Sequence, residues 1–255
     1  MSTSSTDRGA SSVAAVPGRN AAFVTTQWSV VLKAGAGNEA EAEAALARLC
    51  QTYWYPLYVY VRQRGHGSHD AQDLTQEFFA RLLRRNTLQS VTRARGRFRS
   101  FLLSALNRFL TDEWRKAGAK KRGNRLVVSL DAADAETRFR HEPVDRLTPE
   151  KLFEQNWALA LLNRVYEALR EEFEKGGKGV QFEALKFCLT GDRSKVPYAE
   201  LADRLGMSEN AVKITVHRMR QRYRELLREE VAHTVSEPGE VEDELHRLFR
   251  ALSGA

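Results

Sequence analysis

The sequence predicts an all-α protein: two small helical domains joined by a flexible acidic linker, the second ending in a helix-turn-helix. Three observations predict it. Apolar residues recur at spacings of three and four along most of the 255 residues, while Val, Ile and Thr seldom alternate with polar neighbours as they do in strands. Charge is segregated: Arg93 to Arg125 holds eleven Lys or Arg against two acids, and Ser129 to Glu150 holds six acids against three arginines. Lastly, Pro197 to Arg224 reads as two short helices about a glycine turn, the second strongly basic.

Taken in order, residues 1–20 are rich in Ser, Ala and Gly and read as a disordered tail with no signal-peptide apolar run. The first domain covers 21–125. Its first helix, about 39–64, places Leu46, Leu49, Tyr53, Leu57 and Val61 on one face. Gly65 to Gly67 breaks it, and Ser68 caps a second helix from Asp70 to about Arg85, with Ala71, Leu74, Phe78 and Leu82 inward. A third helix runs from near Phe98 into Trp114. Residues 126–149 combine weak periodicity, two prolines and acidic bias, the marks of a linker. The second domain, 150–232, opens with a helix at about 150–174 carrying Leu152, Trp157, Leu161, Val165 and Leu169. GGKG at 176–179 is a connecting loop, since no strand precedes it to make a phosphate cradle, and Phe182–Leu189 is another helix. An extension, 233–255, forms an amphipathic helix with Val241, Leu245, Leu248 and Leu252 on one stripe, expected to pack on the second domain.

The helix-turn-helix carries the most chemistry. Ala199, Leu201, Ala202 and Leu205 face inward from its first helix, Gly206 takes the positive φ that ends it, and Ser208 caps the next. Ala211 stands where an acid would complete a capping box. Val212, Val216, Met219, Tyr223 and Leu226 form the buried back of the second helix. Its front carries Asn210, Lys213, Ile214 and His217, groups that suit base edges in a DNA major groove, with Arg218, Arg220 and Arg222 placed for phosphates.

Bulk properties bound the rest. A net charge of +7 and a pI near 9.5 favour a polyanionic partner, moderately for this length. Cys50 and Cys188 lie among helix-forming apolar residues and read as buried thiols in a reducing compartment. No apolar run approaches the roughly 20 residues of a membrane helix, so the expected location is the cytoplasm, without membrane insertion. His66, His69, Asp70 and Asp73 make a poor metal site because His66 falls in a glycine-flanked turn. No nucleophile–base set or nucleotide fingerprint stands in the chain, so neither an enzyme nor a cofactor is expected.

Three segments fall together in order: DAQDLTQEFFARLL at 70–83, GRFRSFLLSALNRFLTDEWRK at 96–116 and YAELADRLGMSENAVKITVHRMRQRYREL at 198–226. They resemble the sigma-70 family of RNA polymerase sigma factors, closest to the compact extracytoplasmic-function group that keeps only the −10 and −35 promoter-reading domains. The resemblance runs over about 21–230.

It implies a docking surface for the basic clamp helices of the polymerase large subunit at Asp70, Asp73, Gln76 and Glu77; Gln72 stands where the family usually has a second acid. It also implies a −10 reader in Arg95 to Arg125 that holds an unstacked single strand. Arg97, Arg99, Arg108, Arg115, Lys116, Lys120 and Lys121 are its expected cations, with Asn107 and Asp112 at positions that receive a flipped base. Of its rings, Phe98, Phe101, Phe109 and Trp114, helical spacing assigns at least half to the core. The acidic linker would thread the RNA exit path. Implied partners are core RNA polymerase and promoter DNA, with an anti-sigma factor or a Ser/Thr kinase acting on Thr75 as regulators. The rival readings are a conventional helix-turn-helix regulator that does not replace sigma, and an RNA-binding adaptor.

Overall fold

The structure is a computed structural model that describes residues 39–82, 97–117, 132–140, 147–190 and 196–253. Among these residues every regular element is helical, so the fold is all-α. Helix α1 spans Glu39–Gln63, α2 Ser68–Leu82 and α3 Phe98–Ala117. Then follow α4 at Ala132–Phe139, α5 at Pro149–Lys175 and α6 at Gly179–Leu185, which tightens into a 3-10 turn at Lys186–Thr190. The helix-turn-helix is α7, Tyr198–Leu205, and α8, Glu209–Ala232; a 3-10 turn at Pro238–Glu240 leads into α9, Val241–Ser253.

Helix α1 organises the packing. Its expected stripe, Leu46, Leu49, Tyr53, Leu57 and Val61, is buried, but so are Trp54, Tyr58 and Tyr60 on other sides. A helix apolar nearly all round needs cover on more than one face. Helix α2 covers one side and α5 another. The Tyr53 ring meets Phe98 of α3 edge-on at 5.0 Å, and Tyr60 meets Phe153 of α5 at 6.4 Å. The two expected domains therefore share one apolar cluster that runs from Ala45 to Leu248.

The segment expected as linker holds a helix. Ala135 and Phe139 of α4 are buried, and Glu136 accepts hydrogen bonds from Tyr58 Oη (2.5 Å) and Arg62 Nη2 (2.9 Å) on α1. Arg62 also lies over the Phe139 ring at 4.6 Å. Two buried apolar residues four apart, with one acid between them for Arg62, suffice to seat two helical turns.

The caps follow local chemistry. Thr148 accepts from Lys151 N at the start of α5, with Pro149 in the first turn where its missing N–H is harmless. Gly206 sits at φ 61° between α7 and α8, the left-handed conformation that disfavours a Cβ, and Ser208 accepts from Ala211 N. Helix α9 packs on α5 and α8 through Leu245 and Leu248.

Candidate functional site

Two exposed surfaces stand out, one on each half. On α8, Val212, Val216 and Met219 are buried, which turns Asn210, Lys213, Ile214, His217 and Arg218 out to solvent as one continuous strip. Ile214 is 44 % exposed, unusual for an isoleucine in a packed helix. Lys213 Nζ lies 2.7 Å from Glu209, one turn back, in an exposed pair that yields readily to an anion.

Two residues expected on this strip are engaged elsewhere. Arg220 donates from Nε (2.8 Å) and Nη2 (2.5 Å) to the Cys188 carbonyl, which fixes the 3-10 turn to α8. Arg222 reaches Glu172 of α5 at 2.7 and 2.9 Å and also meets Glu225 and Glu229. Planar guanidinium forks close onto whatever oxygens the packing offers, and here those belong to the protein. In the free chain, then, both guanidiniums expected on DNA phosphates are occupied by the protein's own oxygens.

The Arg222 hydrogen bonds hold the Glu172 carboxyl below its ordinary value of 4.5, and hold the Arg222 pKa above its own. Because the folded carboxyl is the stronger acid, its stabilisation is fully present above pH 4.5 and is lost as pH falls through the folded value. Arg222→Ala is expected to cost at most about 1 kcal/mol at pH 7, since the pair is partly solvent-screened, and less at about pH 3. Urea unfolding at the two pH values checks this.

On the first half, α2 and α3 flank a cleft of about 630 Å³ lined by Asp70, Asp73, Leu74, Leu110, Glu113 and Trp114 among others. Trp114 is 80 % exposed at its mouth. Of the acids expected to dock, Asp70 is exposed, and Asp73 is half-buried with His69 Nδ1 at 3.2 Å. Gln76 and Glu77 lie farther along α2, and Arg81 ties Glu77 to Glu113 of α3, at 2.8 Å to each. Burial alone raises the Glu113 pKa, but the Lys116 and Arg81 hydrogen bonds outweigh it and hold the carboxyl below the usual range. Arg81 thereby staples the cleft walls and leaves Asp70 and Asp73 as its acidic edge.

Along α3, Arg108, Asp112, Arg115 and Lys116 are exposed. Asn107 is half-buried and accepts from Tyr60 Oη at 3.0 Å. Lys120 and Lys121 lie outside the described residues. Phe98 and Phe109 are buried and Phe101 packs against the core, so of the four rings Trp114 alone faces solvent. Arg97 and Arg99, expected on the DNA-facing surface, are turned inward instead: Arg99 is 4 % exposed and both approach Glu244 of α9.

Two further expectations change. Thr75 is fully buried and donates to the Ala71 carbonyl at 2.7 Å, so its hydroxyl is closed to a kinase in this fold. Of the acids in the linker expected to thread the RNA exit path, Glu136 is bonded to α1 through Tyr58 and Arg62, as is Glu150 just beyond it through Tyr60, while Asp131, Glu142 and Asp145 lie outside the described residues. Sequence reasoning missed Glu154, Trp157 and Glu244 as one polar cluster. A signal for Glu244 was present: it falls inside the α9 apolar stripe, three residues after Val241 and four before Leu248, where an unpaired acid is costly.

Among the described residues, no helix is long and apolar enough to cross a membrane, and no group of three His, Cys, Asp or Glu is placed to hold a metal. No curated protein and no solved structure matches the chain. Residues 50–120 do match the family model of Sigma-70 region 2. That span takes in α1 from Cys50 onward, the acidic edge of α2 and the exposed basic strip of α3, and with them every residue that lines the cleft. Through this segment, about a quarter of the chain, the protein is similar to the sigma-70 family of RNA polymerase sigma factors, which supports a role in promoter recognition with the polymerase.

Proposed function

We propose that this chain is a sigma factor of the extracytoplasmic-function type, acting in the cytoplasm. It binds core RNA polymerase through Asp70, Asp73, Gln76 and Glu77 of α2. It reads a −10 element with Arg108, Asp112, Arg115 and Lys116 of α3, joined by Asn107, Lys120 and Lys121. It reads a −35 element with Asn210, Lys213, Ile214 and His217 of α8, with Arg218 on phosphate. It carries out no reaction of its own; strand opening draws on binding free energy.

The observation that carries this reading is the continuous exposed strip on α8, set on a capped helix-turn-helix in the same chain as a sigma-70 region 2 segment. Asn and Lys suit adenine and guanine edges, and Ile214 suits a thymine methyl. Beside the cleft, an exposed Trp next to Arg115 and Lys116 offers a stacking surface and a backbone track for an unpaired strand.

The test is initiation in vitro. Core polymerase free of any other sigma, given the full chain and genomic DNA, is expected to start transcripts at discrete sites. A conventional helix-turn-helix regulator would bind duplex DNA well by itself and yield no transcripts.

A further inference from the structure

The first turn of α3 is gripped by the C-terminal half of the chain. Glu244 of α9 has no exposed surface, and two guanidiniums converge on it. Arg99 Nε lies 2.7 Å from Oε1 and its Nη2 3.3 Å from Oε2. Arg97 Nε comes within 2.5 Å of Oε2, an ion contact without hydrogen-bond alignment. The third arm of Arg99, Nη1, reaches Glu154 of α5 at 2.5 Å, and its guanidinium lies 4.7 Å over the Trp157 ring. The backbone adds one more tie, from Phe98 N to the Thr234 carbonyl at 2.9 Å.

Burial disfavours the Arg99 charge, yet the Glu244 hydrogen bonds and charge outweigh it and lift its pKa above the ordinary value. As a source of stability the arrangement is poor, since apolar residues of the same volume serve as well or better. What it confers is a contact that an anion can replace. Two guanidiniums closing on one two-oxygen anion is the geometry by which arginines hold phosphate. The clamped arginines also sit at the start of the helix whose later turns carry Arg108, Arg115 and Lys116 to solvent.

Resting on the promoter-reading function above, we propose that α9 is an intramolecular clamp. Glu244 takes the place of a nucleic-acid phosphate on Arg97 and Arg99, and these two arginines meet DNA only after α9 swings aside. The free protein is the closed form, and the apolar contacts of Leu245 and Leu248 with α5 and α8 set how firmly it closes.

The test uses the full chain without polymerase, a fluorescent single-stranded DNA of mixed sequence, and anisotropy titrations over a range of KCl. Glu244→Gln keeps the shape and removes the charge. It is expected to bind about tenfold tighter at low salt and to steepen the log affinity against log salt slope by about 1.4, the value for two added phosphate contacts on a single strand. Amides of residues 97–102 and 241–250 are expected to exchange hydrogen faster in this variant. If it does not fold, the double variant Glu154→Gln with Asp243→Asn goes through the same assays, because both carboxylates lie at the solvent rim of the cluster; it is expected to move in the same direction by less. A folded variant with wild-type affinity, salt slope and exchange overturns the clamp, even where the wild-type chain starts transcripts with core polymerase. Tighter binding and faster exchange in a chain that starts no transcripts overturns the promoter reading and leaves the clamp standing.

Discussion

Trp157→Ala is expected to lower stability by about 3–5 kcal/mol, the usual cost of truncating a buried tryptophan. Trp157 has no exposed surface and lies within the cluster shared by α1, α5 and α9, with the Arg99 guanidinium on its ring. Its loss removes a large apolar area and leaves Arg99 stacked on nothing. Because both halves of the chain draw on that cluster, the wild type is expected to unfold in urea as one cooperative transition by circular dichroism. The variant is expected to keep one transition at a lower midpoint. Two resolved transitions in the wild type, only one of them moved by the substitution, would mean that the halves are independent.

Lys213→Ala is expected to change which sequences are chosen rather than how tightly DNA is held. Lys213 is exposed at the centre of the α8 strip, where it makes an exposed pair with Glu209, so its removal does little to the fold. A well-placed side-chain contact to a base edge discriminates by about 1–3 kcal/mol, or roughly 5- to 150-fold between the right and wrong base. Selection of duplexes randomised upstream of a fixed −10 element is expected to show relaxed preference at one position. Arg222→Ala is expected to leave that preference intact, because Arg222 is held by Glu172.

Most helices were legible because each carries its own period. The stripe Leu46, Leu49, Tyr53, Leu57 and Val61 marks α1, and the Gly206–Ser208 turn marks the boundary between α7 and α8 through local backbone preference. Helix α4 was hidden, because eight residues carry too few repeats to stand out from an acidic background. The 3-10 turn at Lys186–Thr190 is indistinguishable in sequence from a continuation of α6, since periodicity barely separates the two.

The site was harder to read, for one physical reason. An arginine placed for a phosphate and an arginine placed for a buried carboxylate look the same in sequence. Arg99 meets Glu244, 145 positions away, and Arg220 meets a backbone carbonyl that no residue type announces. The exposed strip on α8 was legible because its buried back, Val212, Val216 and Met219, fixes by helix geometry which residues point outward. Thr75 illustrates the reverse case: the period that turns Ala71 and Phe78 inward also carries Thr75 with them.

The central claim is that one chain supplies core polymerase with both halves of promoter recognition. The most direct measurement maps the 5′ ends of transcripts made on genomic DNA by core polymerase with the wild-type chain and, in parallel, with Lys213→Ala. The account predicts discrete starts preceded by two shared sequence elements, with Lys213→Ala changing the upstream element and leaving the downstream one as it was. Starts that share no upstream element, or no starts at all from a folded chain that binds duplex DNA, would contradict it.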